Sequence, residues 1–166
     1  MTIDEIITFV RTLDGSLVQL PEAGDGSPEV AWGDAFFYYA PGGQIPAATQ
    51  PFATVVTKDY PGDDTSELDR PGAFRVNIGA GRTIFREWTG REPGDPSGDE
   101  DHSALDTVIA HPVYGSLGWL AVVNPGPKTA GGVRYLLEQA YSLARGRYER
   151  RASHDATPGA SSTSDT

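Results

Sequence analysis

The sequence predicts an α+β fold, a two-layer sandwich in which a mainly antiparallel sheet of five or six strands carries helices on one face. Two observations lead there. Helical periodicity marks both ends of the chain and one internal segment, and the strand-like runs between them follow one another through hairpins or loops. One domain over residues 1–150 is expected, followed by a disordered tail over 151–166.

The first helix opens at Thr2-Ile3-Asp4-Glu5, which has the form of a capping box. Ile3, Ile6, Phe9, Val10 and Leu13 then recur at helical spacing until Gly15. Residues 16–20 are a short strand. Residues 29–32 and 35–40 flank Gly33-Asp34, a Gly-X pair suited to a type II′ turn, so a hairpin is expected there. Its second arm carries Phe36, Phe37, Tyr38 and Tyr39, which alternate between the two sheet faces.

Residues 41–51 form a loop, and 52–58 are rich in β-formers. The polar stretch 59–72 is expected to be a surface excursion. In residues 73–78, Phe74, Val76 and Ile78 share one face while Arg75 and Asn77 share the other. Gly79 and Gly81 turn the chain into a second helix bearing Ile84, Phe85 and Trp88, which Gly90 stops. An acidic loop follows over 91–102, then one helical turn at 103–106, then a strand over 117–124 broken by Pro125-Gly126-Pro127. The last helix has the clearest stripe: Val133, Leu136, Leu137, Ala140, Tyr141, Ala144 and Tyr148.

Composition excludes several chemistries. The 166 residues contain no cysteine, which removes disulfides, zinc-thiolate sites, iron–sulfur clusters and a cysteine nucleophile. A formal charge of −10 opposes nucleic acid and anionic membranes, so both are disfavoured partners. The acidic start and the lack of a long apolar run make a cytoplasmic location the expectation. Lysine is scarce beside arginine, a usage typical of GC-rich bacterial genomes.

Three segments, Trp32-Gly-Asp-Ala-Phe-Phe-Tyr-Tyr, Thr57-Lys-Asp-Tyr-Pro-Gly-Asp-Asp and His111-Pro-Val-Tyr, carry a resemblance. Through them the chain resembles an uncharacterised bacterial family known only as a domain of unknown function, over nearly its whole length to about Arg150. In order of elements it is more distantly similar to the MmcQ/YjbR-like proteins, whose fold is similar to that of frataxin. That second likeness implies an α+β fold and a DNA-binding label, for which this acidic chain lacks the basic residues.

No motif fixes a chemistry. His111, beside Pro112 at a strand end, is the best single candidate for acid, base or ligand chemistry, against the plainer role of a structural hydrogen-bonding group. Asp59, Asp63 and Asp64 gather carboxylates in one turn but do not match an EF-hand, so no metal or other cofactor is assigned. Gly79-Ala-Gly81-Arg82 lacks the P-loop spacing and lysine. The stretch Tyr114-Gly-Ser116-Leu-Gly118 misses the nucleophile elbow.

The more informative pattern is spread across the sheet. Arg75 and Asn77 point away from the helices together with one member of each aromatic pair, so that face must be covered by the loops at 41–51 and 91–110, by a ligand, or by another chain. A binding site there is expected to include His111, Arg75, Asn77, Tyr60 and Trp119, with Arg75 suited to an anionic group and the rings to a flat apolar one. The leading expectation is a non-catalytic ligand-binding or protein-interaction module, its partner a small molecule or a second copy in a homodimer. The rivals are an enzyme centred on His111, a divalent-cation site at Asp59, Asp63 and Asp64, and a DNA-binding regulator using Arg134, Arg145, Arg147, Arg150 and Arg151.

Overall fold

A computed structural model describes residues 1–156, and its architecture is the α+β sandwich that the sequence predicts. The elements run α1 (Ile3–Arg11), β1 (Ser16–Gln19), β2 (Ala35–Tyr39), β3 (Ala53–Val56), β4 (Arg75–Gly79), α2 (Gly81–Thr89), β5 (Val108–Ala110), β6 (Trp119–Val123) and α3 (Ala130–Asp155). Six strands make one sheet in the order β1-β2-β3-β4-β6-β5, and every neighbouring pair is antiparallel.

Register decides what each face carries. On β4, Val76 and Ile78 are fully buried against helix residues Ile6, Val10, Phe85, Val133, Leu136 and Leu137. Phe37, Val55, Leu120 and Val122 join them from the neighbouring strands. Because strand side chains alternate, Phe36, Tyr38, Thr54, Arg75, Asn77, Trp119 and Ala121 take the opposite face. Tyr39 belongs to the helical side, packing edge-on against Tyr141 and Tyr148 of α3.

The helix ends follow local chemistry. Thr2 Oγ1 accepts the Glu5 N–H at 3.1 Å while the Glu5 carboxylate accepts the Thr2 N–H at 2.6 Å, closing the capping box. α2 ends at Gly90, whose φ of 72° is the left-handed cap that glycine adopts cheaply. α3 runs on to Asp155, beyond the domain boundary expected at residue 150, and the rest of the expected tail lies outside the described residues.

Four local expectations meet a different structure. The hairpin about Gly33-Asp34 does not form: Glu29–Ala31 is a 3-10 turn, and β2 pairs with β1 instead. Asp34 explains this, because it is a buried carboxylate that collects donors from the segment after β3 and so directs the chain inward. Residues 59–72 keep mostly exposed side chains but are anchored inward, since Ser66 and Leu68 are buried and Leu68 packs with Val56 and Val123 on the non-helical face. Residues 103–106 form no helical turn. Asp106 adopts a φ of 49° there. Its carboxylate accepts the N–H groups of Gly126, Lys128 and Thr129 at 2.8, 3.1 and 3.0 Å, capping α3 from a distance. The strand expected over 117–124 begins only at Trp119, because Gly115–Leu117 closes a 3-10 turn first.

Candidate functional site on the non-helical sheet face

The turn Tyr60-Pro61-Gly62-Asp63 organises this face. Proline at its second position and a residue of positive φ at its third are what a type II turn requires. Gly62 supplies the latter with a φ of 77°. The Asp63 N–H closes the turn on the Tyr60 carbonyl at 2.9 Å, so its two ends reach down to the sheet side by side. Tyr60 donates a short hydrogen bond to Asp34 Oδ2, and Asp63 meets Arg75.

Asp34 is 1% exposed. Its Oδ1 accepts the Thr57 N–H at 2.9 Å, the Thr57 hydroxyl at 2.8 Å and the Lys58 ammonium at 3.1 Å. Burial, then the bond to Asp34, push the Tyr60 phenol well above its ordinary value, so Tyr60 is a hydrogen donor throughout the physiological range.

Arg75 is also 1% exposed. Burying a guanidinium is tolerable only when its charge and its donors are all met. Asp63 takes it in a two-pronged contact, Nη1 to Oδ1 at 2.9 Å and Nη2 to Oδ2 at 2.5 Å. Ser66 Oγ accepts from Nη1 at 2.9 Å, and Asn77 Oδ1 accepts from Nε at 2.7 Å. The remaining direction from Nη2 leads to His111 Nε2 at 3.2 Å. Asn77 turns its amide N–H across the β3–β4 pair to Thr54 Oγ1 at 3.0 Å. Burial alone would raise the Asp63 carboxyl, but the bonds and charge of Arg75 outweigh it and hold the group below the usual carboxylate range.

His111 follows β5 directly, where its Nδ1 accepts the N–H groups of Val113 and Tyr114, each at 3.0 Å. Burial, reinforced by the Arg75 guanidinium, lowers its pKa to about 3, so the ring is neutral near pH 7. With Nδ1 filled by two backbone donors, the neutral ring carries its hydrogen on Nε2.

The expected residues thus divide. Arg75, Asn77 and His111 are gathered beneath the 57–72 loop, Tyr60 belongs to that loop and bonds Asp34, and Trp119 is half-buried, its indole laid across Gly79. The carboxylates of Asp59, Asp63 and Asp64 do not converge: Asp59 accepts the Leu68 N–H at 2.8 Å, Asp63 serves Arg75, and Asp64 is exposed. No trio of His, Asp or Glu placed to hold a metal occurs among the described residues. At the strand-to-helix turn the glycines answer to sterics. Gly81 has a φ of 80°, in the left-handed region that glycine adopts cheaply, and Arg82 pairs with Glu92.

A family model matches residues 1–153. The chain belongs to the DUF6194 family, a family of unknown function. No curated protein and no solved structure matches it, so the likeness to MmcQ/YjbR-like proteins has no structural counterpart. In this DUF6194 chain all three segments that carried the family resemblance meet at one place, through Asp34, through Thr57 to Asp63, and through His111. No helix among the described residues is long and apolar enough to cross a membrane.

Sequence reasoning missed Asp34, Ser66 and Thr54 as members of this cluster. Asp34 lies inside the Trp32-Gly-Asp segment, and its place between Gly33 and an unbroken aromatic strand was the signal to follow. Ser66, in a loop expected to be solvated, offered none. In other parts of the DUF6194 chain the arginines of α3 include Arg145, paired with Glu149 at 2.8 Å, and Arg151, which reaches Thr49.

Proposed function

We propose that this chain is a non-catalytic binding or interaction module working through the sheet face turned away from its helices. One observation carries the reading: residues 57–72 bury the polar part of that face, while the aromatic side chains on the rest of it keep partial exposure. Leu17, Phe36, Tyr38 and Trp119 are half-buried there on β1, β2 and β6, with Leu17 opposite Tyr38 in register. Rings held on a rigid sheet supply apolar area at little entropic cost, which suits a flat ligand or another chain.

Acid–base catalysis at His111 has less support. A general base needs an open lone pair, and the Nδ1 lone pair of His111 is occupied by backbone donors. Asp34 and Asp63 are spent on internal partners as well. Nucleic-acid binding has less still, given a formal charge of −10.

The test is a pair of substitutions on the aromatic part of the face, Tyr38→Ser and Trp119→Ala. Each should keep the thermal midpoint within a few degrees while weakening self-association or ligand binding at least tenfold. Binding unchanged in both variants would refute the assignment.

A further inference from the structure

Asp63 holds Arg75 as an external carboxylate would. The contact is two-pronged and partly buried, and it is delivered by the tip of a Pro-Gly turn whose residues Pro61 and Gly62 are exposed. What Asp63 contacts is otherwise already assembled without it. The Nε of Arg75 is fixed by Asn77 from the same strand, Ser66 stands at Nη1, and His111 stands at Nη2.

One direction in this assembly is unresolved by the chain itself. With Nδ1 accepting from Val113 and Tyr114, His111 carries its hydrogen on Nε2. That N–H points toward Arg75 Nη2, which is also a donor, at 3.2 Å. Two donors converge, and the Asp63 oxygens are both engaged by Arg75. An acceptor placed between Nε2 and Nη2 would satisfy both.

We infer that Arg75, Ser66 and His111 form an oxyanion-binding site that Asp63 fills as an internal ligand. The external ligand is a carboxylate or phosphoryl group that takes the place of Asp63 when the turn tip at residues 61–63 swings out. The third oxygen of a phosphoryl group matches the converging donors, which a carboxylate leaves unmet. Tyr60 and Leu68, bound to Asp34 and packed on Val56, keep the rest of the loop in place. The site lies on the face already assigned to binding, yet it can fail alone, because its readout involves neither Tyr38 nor Trp119.

Chemical rescue tests it. Asp63→Ala should be destabilised by the uncompensated guanidinium, and its thermal midpoint should rise by about 4 °C in roughly 100 mM acetate, and by more in phosphate, over sodium chloride of equal ionic strength. Adding Arg75→Met to Asp63→Ala should abolish the rise. Should Asp63→Ala fail to accumulate folded, Asp63→Ser, which also vacates the place of the carboxylate, carries the same titration. A midpoint indifferent to acetate and phosphate, or a rise that persists without Arg75, would overturn the proposal.

Discussion

Asp34 shows at the residue scale how one buried charge shapes the molecule. Its carboxylate is met by a backbone N–H, a hydroxyl, an ammonium and a phenol, so removing it strands several donors at once. Asp34→Ala is expected to cost about 3 kcal/mol, read as a lowered urea midpoint at unchanged slope. His111 sets the acid sensitivity. The unfolded ring takes up a proton near its ordinary pKa of about 6.5, whereas the folded ring stays neutral down to about 3. Between those values the unfolded state binds more protons, so stability falls as pH drops from about 6.5 toward 3. Asp63, with its lowered pKa, adds a further loss below the ordinary carboxylate range. His111→Asn, which keeps an acceptor for the Val113 and Tyr114 N–H groups, should flatten urea midpoints between pH 6.5 and 4.5. A slope equal to that of the parent would show that another group governs.

Among the elements, β4 was the most legible in the sequence, because clean alternation assigns Arg75 and Asn77 to one face and Val76 and Ile78 to the other. Strand β5 was illegible. Three residues are too few for a period, and the strand exists because it pairs with β6. Glu100 Oε1 also accepts the Ala110 N–H at 3.2 Å. The Gly33-Asp34 hairpin failed for a related reason: turn chemistry was read locally, and long-range donors to the Asp34 carboxylate decided the path. Gly79 ties β4 to the aromatic part of the face. A Cβ there would lie 3.2 Å from the Trp119 ring and 3.1 Å from the Phe52 carbonyl, so a neighbour must give by a few tenths of an ångström. Gly79→Ala is expected to cost about 1–3 kcal/mol and to shift Trp119 fluorescence; a silent substitution would mean that the indole does not rest on the strand.

For the whole molecule, the two faces of one sheet meet different needs. The helical face is a conventional apolar core, with Ile6, Phe85, Leu136 and Leu137 buried on Phe37, Val76 and Ile78. For the opposite face the sequence left three covers open, the loops at 41–51 and 91–110, a ligand or another chain; residues 57–72 cover part of it, through buried anchors such as Ser66 and Leu68 that a polar composition conceals. Leu17, Phe36, Tyr38 and Trp119 lie on the rest of that face with partial exposure, and the binding proposal depends on them. Amide chemical-shift mapping of the labelled protein, across a dilution series and with a set of aromatic fragments, is the most direct test. Perturbations concentrated at Leu17, Phe36, Tyr38, Gly79 and the Trp119 indole N–H are the predicted result; perturbations confined to α1 and α3, or none anywhere, would contradict it.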